Sequence, residues 1–283
     1  MKLLTNRNKN KALTLFLAVF AALMLLGLSA CGGGGGGDNG GGSAPLTDQD
    51  ASGLYKNGTL DLNGSTIMQN DVRGFVHANR IMLFSVGAKL LIDGQIDTIT
   101  LDDFTATVDI YEAGVKTETG VSVTGKVRTR SKITGTLSGS GAGSGTFSLL
   151  YDRLYTRGAS YARVDTKDPN SVLPKSFKGA VISSNPGVGT NNFDFPEPNK
   201  YDMIFFTSSS DRCKVFGSYS IPDSSINIYM LNEVLSQLDT GCTIPETPNY
   251  TGFAAAVDGT STDDTLLYAV TNGTNSQFAI LTR

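Results

Sequence analysis

The sequence predicts an all-β protein: two small antiparallel β modules, barrel- or sandwich-like, behind a leader and a flexible glycine tether. Three observations predict it. From residue 51 onward apolar residues recur at every second position, the mark of strands with one packed face. Phe104, Ala106, Val108 and Ile110 alternate with Thr105, Thr107 and Asp109, and Val215, Gly217 and Tyr219 alternate with Lys214, Phe216 and Ser218. Asn-Gly and Asp-Gly pairs at 57, 63, 93, 258 and 272 supply the positive φ of tight hairpins. Helical periodicity is confined to Leu231, Leu235 and Leu238, where a strand followed by a short irregular turn is the favoured reading and one or two helical turns the other.

The elements follow in order. Residues 1–30 are an address, not part of the fold. Lys2, Arg7, Lys9 and Lys11 precede an apolar run from Ala12 to Leu28. Residues 31–50 are a tether: nine of the thirteen residues 32–44 are glycine, so the segment has no face to bury. Residues 51–168 form the first β module. No proline occurs from 46 to 168, and then Pro169 and Pro174 bound a linker, 169–174. Residues 175–283 form the second module. Both modules are expected to close on a similar apolar strand, GTFSLLYD and DTLLYAVTN, a weak sign of related units.

Composition excludes several functions. The net charge of −3 does not suit a nucleic-acid binder. Three Cys and the single His77 cannot furnish a multi-ligand zinc site or a disulfide-dense scaffold. A Ser-His-Asp triad would have to use His77, which reads better as an edge histidine, and no G-x-S-x-G elbow occurs. Asp102-Asp103 and Asp263-Asp264 are adjacent pairs; strand neighbours point to opposite faces, so they read as solvated turn charges and not as catalytic dyads. DGTSTDD at 258–264 offers oxygen ligands for Ca²⁺ but lacks EF-hand spacing, and reads as a polar loop. SGSGAGSGT at 138–146 reads as a mobile hairpin. No catalytic residue, cofactor or metal ligand is expected, and the protein is expected not to be an enzyme.

The leader ends in Leu28-Ser29-Ala30-Cys31. This resembles the lipobox of bacterial lipoproteins, with Leu28, Ser29 and Ala30 as the signal-peptidase motif and Cys31 as the lipidated residue. With GLYKNGTL, IMLFSVGAKLLIDGQI, RCKVFGSYS, INIYML and YTGFAAAV, the chain resembles proteobacterial outer-membrane-type lipoproteins of unassigned function. These combine a lipobox, a Gly-rich spacer and two all-β modules. The resemblance implies acylation of Cys31, with palmitate among the chains, and an outer-membrane anchor facing the periplasm or the cell surface. Gly32, not Asp, follows the cysteine, as outer-membrane sorting would have it. Removal of residues 1–30 takes four cations and leaves a net charge of −7, which fits a body held off an anionic surface. Export would place Cys213 and Cys242 in an oxidising compartment, where an even pair usually forms a structural disulfide. A redox or metal pair is the other reading.

The expected function is non-enzymatic: a lipid-anchored envelope protein with a structural or surface-interaction role. Its partners would be the membrane, through the N-terminal lipid, and an envelope or surface protein or glycan. The alternative is a β-barrel that carries a small apolar ligand or lipid in the periplasm. Lipocalin-like barrels are the wider analogy, although their Gly-x-Trp opening is missing from a chain without Trp.

Overall fold

Each stretch of alternating residues pairs antiparallel with the next, and in both halves of the chain the last strand returns to the first. The structure, a computed structural model, describes residues 47–67, 71–140, 143–166, 176–184, 191–237 without 207–211, and 249–283. Cys31 with its Leu28-Ser29-Ala30 motif, the tether to residue 46, the linker 169–174 and Cys242 lie outside the described residues.

The first barrel comprises β1 (Gly53–Leu62), β2 (Ser65–Ile67), β3 (Val72–His77), β4 (Arg80–Ser85), β5 (Leu90–Thr100), β6 (Asp103–Glu112), β7 (Val115–Arg128), β8 (Lys132–Ser138) and β9 (Gly145–Asp152). Neighbours in sequence pair throughout, apart from β2, a short hairpin arm on β1. The ring closes where β9 pairs with β1, from Leu54↔Asp152 to Leu62↔Gly145. Eight strands thus form an up-and-down barrel with no free edge. Inward positions are filled by Ile81, Leu83, Phe104, Val108, Ile110, Val123, Ile133 and Phe147, all essentially buried.

The second barrel comprises β10 (Phe177–Gly179), β11 (Ile182–Ser183), β12 (Asn191–Glu197), β13 (Lys200–Phe206), β14 (Arg212–Ser220), β15 (Tyr229–Gln237), β16 (Tyr250–Val257), β17 (Thr265–Thr271) and β18 (Ser276–Thr282). It closes through Lys178↔Thr282, with β11 running along β18. YMLNEVLSQ is strand, as favoured from sequence. The core is aromatic: Phe193 stacks on Tyr201 at 4.9 Å, and Phe195 and Tyr268 meet the same cluster at 5.2 Å. Between the barrels a 3-10 turn (Arg153–Arg157) leads into a short helix, α1 (Tyr161–Val164). Ala159 and Val164 join the core of the second barrel.

Three sequence expectations are corrected. Asn57-Gly58 is not a turn but a bulge inside β1, where the register with β9 shifts between Lys56 and Thr59. Asp93-Gly94 lies in the middle of β5, paired on both sides. The hairpin turns fall instead at Ala78-Asn79 and Ala113-Gly114, with positive φ at each residue. DTLLYAVT is the penultimate strand, so it does not match GTFSLLYD, which ends the first barrel.

The expected solvent face is also missing from β4, β16, β17 and β18. Ile81 and Leu83 enter the first core, while Met82 and Phe84 face outward into a third apolar cluster. From the other barrel, Phe253, Ala255, Val257, Leu267, Ala269 and Phe278 enter that cluster. Phe75 lies 5.9 Å from Phe253 and Phe84 lies 5.9 Å from Phe278. Burial of each such ring contributes roughly 1.5–3 kcal/mol, so the two barrels are packed together as one compact unit. Backbone bonds reinforce the joint: Ser276 N donates to Gly114 O at 2.8 Å and Asn227 N to Tyr155 O at 2.6 Å. Gly114 has φ +86°, and a Cβ there would meet Ser184 N at 2.0 Å.

Candidate functional site

The outward face of β14, β15 and β16 is the floor of a cleft of about 500 Å³ beside the joint. Register places Ser218, Asn232 and Thr251 in one row and Ser220, Met230 and Phe253 in the next. His77, Ala78, Arg80 and Gln95 of the first barrel make the facing wall. Alternation accounts for the floor: Tyr219, Leu231 and Ala254 point into the barrel, so their neighbours must point out.

Arg80 supplies the only charged side chain of this lining, and its charge is answered within the protein. Its Nε and Nη2 donate to the two Asp93 oxygens, each at 2.8 Å. The same guanidinium bonds Thr271 Oγ1 at 2.9 Å and Thr251 O at 3.2 Å across the joint. It also lies 5.7 Å from the Phe253 ring centre. His77 meets Phe253 edge-on at 6.1 Å. Burial lowers the His77 pKa, against an upward pull from Asp223 and Asp50, so the imidazole is neutral at neutral pH. Among the described residues it makes no hydrogen bond to a serine hydroxyl or a carboxylate. The cleft therefore offers neutral donors and acceptors around Met230, which is 40% exposed.

Sequence reasoning treated His77 only as an edge histidine; the structure makes it part of the cleft wall. Asp102 and Asp103 do not point apart, because Asp102 sits in the turn: both reach Lys126 Nζ, at 3.2 and 2.7 Å. Asp263 and Asp264 do diverge. Asp263 pairs with Arg157 and Arg163, while Asp258 pairs with Arg157 at 2.7 Å. Asp264 accepts from Gly259 N, Ser261 N and Thr260 Oγ1. Partial burial acts to raise its pKa, and these bonds outweigh that and hold it at about 2. Among the described residues no cluster of His, Cys, Asp and Glu could hold a metal ion. In the glycine-rich hairpin, Gly143 N donates to Glu118 at 3.0 Å, and residues 141–142 lie outside the described residues. Cys213 pairs with Gln237 in the β14–β15 ladder, but its side chain, like Cys242, is outside the described residues.

One chemically active residue was missed. Glu233 is fully buried inside the second barrel. Tyr268 donates its phenol to one carboxylate oxygen, and Tyr201 faces the same group. The second oxygen, Oε1, has no partner. Burial pushes this carboxyl up to about 7, against the hydrogen bond from Tyr268. The signal was present in sequence, since Tyr229, Leu231 and Glu233 share one phase of the alternation.

Fold and site together define a tandem up-and-down β-barrel protein with an inter-barrel cleft. Comparison with protein-family models, curated proteins and solved structures gives no match.

Proposed function

We propose that the protein is a non-enzymatic, lipid-anchored envelope adaptor that holds a polypeptide segment of a partner in its inter-barrel cleft. The cleft carries this reading. Its lining is neutral and rich in hydrogen-bonding groups, beside an exposed methionine that adapts to a partner surface. Backbone amides match such a lining. A glycan would call for an exposed aromatic platform, whereas Phe253 is only 3% exposed. Carriage of an apolar ligand is the weaker reading, because side chains that are essentially buried fill both barrel interiors.

Membrane attachment in this proposal rests on Leu28-Ser29-Ala30-Cys31 and the glycine spacer, and outer-membrane location on Gly32. A Cys213–Cys242 disulfide would close the loop after β15. Its test is a thiol titration of the exported protein with and without reductant. For the cleft, a photo-crosslinking residue at position 232, in cells expressing the full chain, is expected to capture protein, and M230E is expected to abolish the capture without changing Tm. Capture of carbohydrate alone, or capture unaffected by M230E, overturns the reading.

A further inference from the structure

The β7–β8 hairpin concentrates positive charge on an acidic protein. Residues 126–132, KVRTRSK, carry four cations and no acid. Register sets Arg128 directly opposite Lys132, and Lys126 opposite Thr134. Like charges directly opposed across a ladder are unfavourable unless an anion lies between them. Lys126, Arg128, Ser131, Lys132 and Thr134 surround a hollow of about 300 Å³. Asp102 and Asp103 answer Lys126. Among the described residues no carboxylate lies within ion-pair distance of Arg128, Arg130 or Lys132.

A second observation concerns the chain just after the tether. Gln49 N donates to Leu101 O at 2.8 Å, Asp50 N to Thr129 Oγ1 at 2.7 Å, and Thr129 N to Gln49 Oε1 at 3.2 Å. Thr129 belongs to the turn of the cationic hairpin. The acids here are occupied: Asp48 accepts from Leu101 N and Asp50 from Ser52 N, at 2.7 and 2.8 Å. The segment that joins the body to its anchor is thus stitched to this cationic hairpin. Sixteen residues separate Cys31 from Asp48, a mean span of roughly 5–6 Å × √16, or about 22 Å. That is short enough to bring the hairpin repeatedly to a bilayer surface holding the anchor.

We propose that the β7–β8 hairpin is a docking surface for the anionic phosphate headgroups of that bilayer, with Arg128, Arg130 and Lys132 as the contacts and Ser131 as a hydrogen-bond donor. This rests on the lipid-anchor reading. The −7 charge of the processed chain repels the rest of the body from the same surface, so docking fixes which end of the first barrel faces the lipid.

The test uses the unacylated chain from Cys31 onward, which keeps the whole compact unit. It is mixed with phosphatidylcholine vesicles with or without phosphatidylglycerol, and co-sedimentation is measured. Binding is expected only with phosphatidylglycerol, and it should fall as salt shortens the screening length. R128E/K132E is expected to weaken it by at least about tenfold, since each of the two lost cations contributes about fivefold near an anionic surface. K178E, an exposed reversal on the second barrel, is expected to leave it unchanged, with circular dichroism confirming the fold of both variants. Equal binding to neutral vesicles, no binding, equal loss in K178E, or full displacement by millimolar inorganic phosphate overturns the proposal. Mass spectrometry of Cys31 from the native envelope reads the anchor separately: an unacylated Cys31 overturns the anchor and leaves the vesicle result to judge the hairpin.

Discussion

Arg80 grips Asp93 with two parallel hydrogen bonds of 2.8 Å while the same guanidinium reaches Thr251 and Thr271 of the other barrel. Thr271 Oγ1 in turn donates to Asp93 at 2.6 Å. The pair thus ties the joint as well as the first barrel. Its side chains are 17% and 12% exposed, so neither charge is well solvated without the other. Arg80→Met is expected to cost about 2–3 kcal/mol, because Asp93 is left without its cation. Arg80→Met with Asp93→Asn is expected to cost less than the single change. Urea denaturation of both variants measures this, and equal losses would show that the pair is not coupled.

Glu233 makes the stability of the second barrel depend on pH. Its carboxyl titrates at about 7 in the folded protein, against an ordinary value of 4.5. Below pH 4.5 the group is protonated in both states and costs nothing. As pH rises from there, the unfolded chain ionises while the folded one keeps its proton, so stability falls until about pH 7. The full loss is about 3 kcal/mol at about 1.4 kcal/mol per pKa unit. Gln277, Tyr201, Tyr250 and Tyr268 face the same cluster, and burial keeps the Tyr201 and Tyr268 phenols protonated over this range. Glu233→Gln is expected to remove the slope; an unchanged pH profile of Tm would sink the assignment.

The Tyr201 ring lies where a side chain of residue 217 would be. A Cβ on Gly217 would stand 2.0 Å from the ring. Gly217 also pairs with Glu233, so the missing Cβ brings the Tyr201 phenol to the carboxyl. Gly217→Ala is expected to displace the ring and destabilise the protein by about 1–3 kcal/mol, the usual cost of overpacking. It should also alter the pH profile set by Glu233. Thermal melts at two pH values separate these effects, and a wild-type melt would refute the clash.

Calcium is expected to leave Tm unchanged. In the 258–264 loop Asp258 and Asp263 are engaged by Arg157, and Asp264 accepts from three residues of its own loop. A cation would have to displace arginine already paired with these carboxylates. A concentration-dependent rise in Tm with Ca²⁺, absent with Mg²⁺, would contradict this.

Legibility from sequence followed the range of the interaction. The phase of Phe104, Ala106, Val108 and Ile110 was readable because alternation is local to one strand. The turn at Asn63-Gly64 was readable for the same reason, with φ of 51° and 77°. Asp93-Gly94 misled because a turn-prone pair is overridden when both neighbouring strands pair across it. The cleft was not legible, since its floor and its wall are about 150 residues apart in the chain. His77 stood out by its rarity, but its place against Phe253 depends on the joint.

The sequence by itself determined an all-β chain of two antiparallel modules, because period-two patterning and turn chemistry act over a few residues. Tertiary structure decided that these modules are closed barrels, since closure depends on pairings such as Leu54↔Asp152 and Lys178↔Thr282 between distant strands. It also decided that both faces of β4, β16, β17 and β18 are buried. Apolar runs such as IMLF and LLYAV carry no record of what covers their second face, and only the packing of one barrel on the other supplies it.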